Sequence, residues 1–150
     1  MKTSLDKPTH LTIGRLGESY AAAYLEQQGF RLVAANFTVP VGRNRRDVII
    51  NAELDLVAYD GQTLCFVEVK TRASDWFAPP EVNVDRRKRR QIARAAREYR
   101  HMFALEDQPY RYDVVTVIIG NLPTPHIELF KNFWREEQLK KRRLETHYYQ

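Results

Sequence analysis

Glu53-Leu54-Asp55-Leu56-Val57-Ala58-Tyr59, then Asp60-Gly61, then Leu64-Cys65-Phe66-Val67-Glu68-Val69-Lys70 read as two β-strands joined by a tight turn. Both runs are apolar and β-prone, and Asp-Gly between such runs is a strong hairpin signal. Side chains alternate faces along a strand. Asp55 is therefore expected to share a face with Glu53 and Val57. Glu68 and Lys70 share another, with Val67 and Val69 pointing the opposite way. Pairing the two strands brings Asp55 beside Glu68, with Lys70 one step further along. Two carboxylates and an amine in that arrangement suit metal-assisted phosphodiester hydrolysis. The carboxylates hold a hard cation through oxygen, and the lysine sits near the attacking water. The competing reading makes Glu68 and Lys70 edge-strand charges on a solvated face. Asp55 inside the preceding apolar run favours a site, because buried charge needs a partner or a purpose.

The 150 residues suffice for one compact domain, with 43% hydrophobic and 29% charged residues as in ordinary soluble proteins. No apolar run approaches a membrane span. The start of the chain, Met1 to His10, is polar and lacks a signal-peptide core. Cys65 is the only cysteine, which excludes an intramolecular disulfide and fits a cytoplasmic location. His10, His101, His126 and His147 lack the spacing of zinc ligands.

Net charge is +5, and its distribution says more than its size. Arg86 to Arg100 holds eight basic residues and one acid, Glu98, and so carries +7; the rest of the chain carries −2. The whole positive excess sits on one element, an electrostatic footprint for polyanion binding.

Residues 11–28 read as a helix in which Leu16, Tyr20 and Tyr24 recur at helical spacing and Gly29 marks the stop. Glu18 shares a helical face with Ala21, Ala22 and Leu25. On these residues alone it is either a first-turn carboxylate favoured by the helix dipole or an acid with a task. Phe30 to Val39 reads as a strand, Pro40 to Arg46 as an arginine-rich loop, Asp47 to Tyr59 and Thr63 to Lys70 as strands, and Asp75 to Pro80 as a loop. A second helix runs from Asn83 or Asp85 to Ala104, with an apolar stripe of Ile92, Ala95, Tyr99 and Met102 or Phe103. Extending that stripe backward lands on Lys88, which should face the sheet, while Arg86, Arg90, Arg94 and Arg97 form an outward row. Tyr110 to Ile119 and Ile127 to Lys131 read as strands, and a charged helix or tail follows from Phe133. The order is α-β-β-β-α-β-β. A hairpin in the middle requires a mixed sheet, flanked by helices in an α/β layered domain.

Gly14-x-x-Gly17-Glu18, Glu53-Leu54-Asp55-Leu56, Phe66-Val67-Glu68-Val69-Lys70-Thr71-Arg72, Lys88 and Arg111-Tyr112-Asp113-Val114-Val115, in this order and spacing, resemble the YraN-like family of bacterial proteins. That family has the PD-(D/E)xK, restriction endonuclease-like fold and is similar to archaeal Holliday junction resolvases. The resemblance spans residues 13–133. It implies a nuclease-like domain over 11–133, a flexible segment over 1–10 and a charged helix or tail over 134–150. It implies that Asp55 and Glu68 are the metal carboxylates, Lys70 the catalytic lysine and Glu18 the helix-borne acid completing the site. Lys88 would approach the scissile phosphate. Arg72 joins Lys88 and the outward arginine row among the nucleic-acid-binding residues. Arg111 and Asp113 match a family motif; a salt bridge tying their strand to a helix accounts for them. Two departures stand out. Ala52 replaces a family glycine, and the stretch from Phe37 to Asn51 is longer than in the family. The extra residues include Arg43, Arg45 and Arg46, which give either an added nucleic-acid contact or a longer solvated hairpin.

These residues imply a nuclease dependent on Mg²⁺ or Mn²⁺ that hydrolyses DNA phosphodiester bonds. Selectivity for branched or single-stranded structures, in DNA repair or recombination, is expected over sequence specificity, because no base-reading motif is visible. The residues do not fix an oligomeric state; the resolvase-like relatives act as dimers, which makes a homodimer one option. The alternatives are a non-catalytic nucleic-acid-binding module on the same fold and an RNA-processing nuclease.

Overall fold

In the computed structural model, residues 10–73, 83–120 and 123–139 are described. Helix α1 (His10–Gln27) is followed by strands β1 (Arg31–Arg43), β2 (Ile49–Asp60) and β3 (Thr63–Arg72). Helix α2 (Arg86–Met102) then leads to β4 (Tyr110–Ile118) and β5 (His126–Trp134). The five strands form one mixed sheet in the order β1-β2-β3-β4-β5, with β3 and β4 parallel and every other pair antiparallel. A parallel pair needs a crossover, and α2 supplies it. This is the α/β architecture expected, a restriction endonuclease-like fold. The Asp75 to Pro80 loop, residues 1–9 and most of the charged tail lie outside the described residues.

Side-chain alternation on β3 and β4 builds two cores, one per face. Leu64, Phe66, Tyr112 and Val114 pack with Ile92, Ala95, Ala96 and Tyr99 of α2. Cys65, Val67, Val115 and Val117 pack with Ala21 and Leu25 of α1. Each fully buried large apolar side chain here contributes about 1.5–3 kcal/mol. On α2 the stripe of Ile92, Ala95 and Tyr99 is buried as expected, whereas Met102 and Phe103 are exposed where the helix ends. Asp85 caps that helix, its carboxylate accepting from Lys88 N at 2.8 Å. On α1 the sheet-facing line is Gly17, Ala21 and Leu25, while Leu16 and Tyr20 are exposed. The regular Leu16–Tyr20 spacing is real, but small residues win the sheet face because they allow close approach. Gly29 ends the helix as expected, with Phe30 N donating to Leu25 O at 2.9 Å.

The turn between β2 and β3 is Gly61-Gln62, with Asp60 paired to Thr63 and Gly61 at φ 60°. Of the loop expected over Pro40 to Arg46, Asn44 to Arg46 form the turn, but Pro40 to Arg43 are strand: β1 continues to Arg43 and pairs with β2 as far as Arg43 opposite Ile49. Proline is tolerated because β1 is an edge strand with a partner on one side only, and a register shift between Pro40 and Gly42 absorbs it. Ala52, in place of the family glycine, lies opposite Val39 in a regular ladder and is buried in the α2-side core. The last strand is also longer than expected, reaching Trp134, whose ring stacks on Tyr112 at 3.9 Å.

Candidate active site

The β2–β3 ladder runs from Asp60–Thr63 only to Leu56–Val67. The next pair in register would be Asp55 and Glu68. There the strands part, and the Asp55 carboxylate takes the place of a backbone carbonyl, accepting from Val69 N at 2.9 Å. Face alternation on β2 slips at the same point. Leu54 packs in the α2-side core and Leu56 in the α1-side core, although strict alternation would put both on one face. Asp55 and Val57 therefore do not share a simple face with Glu53 as the sequence period suggested. Across β1 from Asp55, between the pairs Ala35–Leu56 and Phe37–Leu54, Asn36 adopts φ 51°. A non-glycine residue in the left-handed region beside a cluster of acids marks a backbone held in place by its surroundings.

This divergence lets an acid from α1 join acids from the sheet. Carboxylate oxygens of Glu18, Glu53 and Asp55 all lie within 4.8 Å of one another. Two oxygens on one Mg²⁺, each at about 2.0–2.1 Å, are at most about 4.2 Å apart. Cis oxygens on such a cation are about 2.9 Å apart, so the three could share one cation after side-chain movements of about 1 Å. Gly17 brings α1 close enough. A Cβ there would fall 1.9 Å from Thr71 Oγ1 and 2.8 Å from Thr71 Cβ, so the helix backbone rides directly on β3. Glu18 lies well inside α1, which begins at His10 and has no acid in its first turn. The helix-dipole explanation for this residue fails. Cavities of about 570 Å³ and 420 Å³ open on either side of Glu18, the first toward Asn36 and Glu53, the second toward Thr71 and Arg72.

Glu68 stands across Asp55 from that trio. It is buried, and Lys88 Nζ approaches its Oε1 at 3.7 Å. Burial first, then the Asp55 charge, push the Glu68 carboxyl up to about 8 against the pull of Lys88 and Lys70. Burial and Asp55 also raise Glu18, partly offset by Asn36. Asp55 is thus the shared member of two carboxylate groupings, and its charge raises both Glu18 and Glu68. Lys70 is half-buried two residues beyond Glu68, and Arg72 is exposed at the end of β3.

The structure therefore brings Asp55, Glu68, Lys70, Glu18 and Lys88 to one region, as anticipated. It adds Glu53, which the sequence reading placed beside Asp55 but did not assign. The signal was present, an acid two residues before Asp55 on the same strand. Arg86, Arg90, Arg94 and Arg97 lie on the exposed side of α2, and none of them forms an ion pair among the described residues. Arg111 and Asp113 sit elsewhere. Arg111 Nε meets Asp113 at 2.8 Å and its Nη2 meets Asp60 at 2.8 Å, while Asp113 also accepts from Asn132 N at 2.8 Å. The pair ties β4 to β2 and β5, not to a helix as expected, because the bulge in β5 aims a free backbone N–H at the Asp113 carboxylate.

The sequence profile of the uncharacterised protein family UPF0102 matches residues 17–117. This chain belongs to that family. The UPF0102 protein of Koribacter versatilis is 39% identical over 127 residues, covering 85% of this chain and 82% of the relative. That of Solibacter usitatus is 42% identical over 110 residues, covering 73% and 77%. That of Chlorobium limicola is 34% identical over 138 residues, covering 88% and 98%. UPF0102 is the YraN-like family that the motifs resembled. The matched region runs from Gly17 through β4, and so contains every carboxylate and lysine of the site; β5 lies beyond it. Among the described residues no helix is long and apolar enough to cross a membrane.

Proposed function

We propose that this protein is a metal-dependent nuclease that hydrolyses DNA phosphodiester bonds, selective for branched or single-stranded structures. The observation that carries the reading is the convergence of Glu18, Glu53 and Asp55 at the parting of β2 and β3, with Glu68 immediately across the gap. All four are hard oxygen donors, which favour Mg²⁺ or Mn²⁺ over softer ions. Bound there, such a cation supplies a water of lowered pKa and positive charge for the phosphoryl oxygens. The protein's own part is positional. Val69 N donates to one Asp55 oxygen and so fixes the carboxylate at the mouth of the gap. Lys70 projects from the same strand face as Glu68 and would position the attacking water or neutralise charge building on the phosphate. Lys88 holds Glu68 from the α2 side. The outward arginines of α2 contact backbone phosphates without reading bases.

The test is a cleavage assay with Mg²⁺ and Mn²⁺ on duplex, flap, junction and single-stranded substrates in DNA and RNA form. Asp55→Asn should abolish cleavage yet leave nucleic-acid affinity in EDTA unchanged or tighter, since one repelling charge is gone. Lys70→Ala should abolish cleavage with a modest loss of affinity. Tight binding by the wild type without metal-dependent cleavage of any substrate makes the protein a non-catalytic binding module. Cleavage of the RNA panel alone makes it an RNA-processing enzyme.

A further inference from the structure

β1 and β2 continue together well past the point where β3 leaves them. β2 pairs with β3 only from Leu56 to Asp60, but with β1 as far as Ile49 opposite Arg43. The result is a two-stranded ribbon rooted at the acid cluster. Its base is held under α2, where Val39, Ala52 and Leu54 are buried against Ile92 and Ala96. Beyond that base it stands clear of the rest of the molecule: residues 42–51 are all exposed.

The tip has an unusual surface. Val48, Ile49 and Ile50 are consecutive and 56%, 50% and 38% exposed. Three exposed apolar residues in a row on an edge ribbon invite association and are otherwise selected against. The turn beside them is built firmly. Asn44 Oδ1 accepts from Arg46 N at 2.9 Å and from Val48 N at 3.0 Å, and Arg43 is tied to Asp47. Arg45 and Arg46 have no carboxylate partner among the described residues. The tip is therefore a rigid basic loop next to an apolar patch.

We propose that this ribbon is a DNA-contacting arm, with Arg45 and Arg46 on backbone phosphates and Ile49 and Ile50 against the groove or an unstacked base step. The inference rests on the nuclease reading above and extends it to a second contact. Geometry supports it. Six residues at about 3.3 Å each put Ile49 roughly 20 Å from Asp55 along the strand, about six base pairs of duplex at 3.4 Å each. A duplex engaged at the acid cluster would thus lie within reach of the tip. A two-stranded ribbon fits the major groove, and apolar side chains inserted at a base step are a known way to bend or open DNA. Charge argues against a second copy of the chain as the occupant. Symmetric pairing of two tips would bring four unpaired arginines together.

The experiment measures binding to a labelled three-way junction by anisotropy across a salt series, in EDTA, with the full-length Asp55→Asn protein as reference. Arg45→Gln/Arg46→Gln should weaken binding and flatten the log affinity against log salt slope by about 1.8, or 0.9 per lost phosphate contact. Ile49→Thr/Ile50→Thr keeps strand propensity; it should weaken binding several-fold while leaving the slope unchanged. Thermal melting checks that both variants fold as the reference does. If both bind like the reference while an Arg90→Gln/Arg94→Gln variant does not, the arm is overturned and the nuclease reading stands. If the reference itself shows no salt-dependent binding, both fall. If the threonine variant alters sedimentation and leaves DNA binding intact, the patch is an interface between copies and the proposal is wrong.

Discussion

Two buried charged residues anchor opposite kinds of site: Asp113 and Glu68 are the buried acids among the described residues. Asp113 is fully answered. A bidentate Arg111 and a backbone N–H occupy its oxygens, and the neighbouring Asp60 is held below the usual carboxylate range by Arg111 and then Lys131. Glu68 has one ion pair, with Lys88 at 3.7 Å, and a weaker pull from Lys70, while Asp55 presses on it from the other side. With Glu18 and Glu53 nearby, four carboxylates face three cations, Lys70, Lys88 and Arg15, none of them bonded as Arg111 is to Asp113. Burial of charge is therefore no guide to function by itself. A shortage of counter-charge is the better guide, because crowded carboxylates must keep a proton, as Glu68 does, or share a cation.

The widest way to separate the two sites is to delete each acid. Asp113→Ala leaves the Arg111 guanidinium short of its main partner and frees the Asn132 N–H, and should cost about 3–5 kcal/mol in urea unfolding. Glu68→Gln removes a charge the fold resists, and at pH 8 without metal should be neutral or stabilising. Similar large losses from both would mean Glu68 is as well satisfied as Asp113, and the contrast would fail.

Titration should split them in sign. The Glu68 pKa rises from an ordinary 4.5 to about 8 on folding, so the native state holds a proton there that the unfolded chain has released. Stability of the metal-free protein should then fall as pH rises from about 4.5 to 8. The Asp60 shift is downward, so its contribution is present above the ordinary aspartate range and is lost as pH falls through its lowered value. Thermal melts from pH 3 to 8.5 should show both limbs, and Glu68→Gln should flatten only the upper one. Mn²⁺ affinity by calorimetry should rise over the same upper range as the proton leaves. Loss of Mn²⁺ binding in Asp55→Ala, with weakening in Glu18→Gln and Glu53→Gln, would identify the ligands; equal binding by Glu53→Gln would remove that residue from the set.

Gly17→Ala probes how the acidic site is assembled. The added methyl meets Thr71 at its Oγ1, Cγ2 and Cβ, so α1 must lift away from β3. Overpacking of this kind costs about 1–3 kcal/mol. The displaced helix should carry Glu18 off the cluster and weaken Mn²⁺ binding. Thr71→Ala in the same protein removes the two nearer contacts and should restore both in part, since its Cβ still stands 2.8 Å from the added methyl. Gly14→Ala is the control, since a Cβ there meets nothing within 4 Å.

Much of this arrangement was legible in the sequence. Apolar runs flanking Asp60-Gly61 announce the hairpin and bring Asp55 near Glu68, although the turn falls one residue later, at Gly61-Gln62. The α2 stripe correctly placed Lys88 inward and the arginine row outward. Where the reading failed, a non-local fact decided. Pro40 looked like a loop because nothing local reveals that β1 lies at a sheet edge. On α1 the helical spacing of Leu16 and Tyr20 does not show which face is buried; the close contact with β3 falls to Gly17 and Ala21. Glu53 was passed over because its partner Glu18 is brought in only by that close contact. The slip of faces at Asp55 depends on the left-handed Asn36 across the ladder, which no periodicity reports.

The smallest effects concern the basic residues of α2, and they sharpen the contrast between an acid's local partners and a remote basic surface. Lys88 faces Glu68, whereas Arg94 is exposed on the outer side of the same helix. Charges separated by more than about 8–10 Å through solvent are largely screened at physiological salt. Lys88→Gln should therefore shift the upper limb of the pH–stability curve to higher pH, because the charge that favours ionised Glu68 is gone. Arg94→Gln should leave that limb in place and change stability by less than about 0.5 kcal/mol. Its effect should appear only in nucleic-acid binding, as a salt slope reduced by about 0.9 on duplex DNA. A shifted limb in Arg94→Gln would mean the arginine row is part of the counter-charge of the acidic site, and the two would have to be treated as one electrostatic unit. An unchanged slope would mean the row is merely solvated.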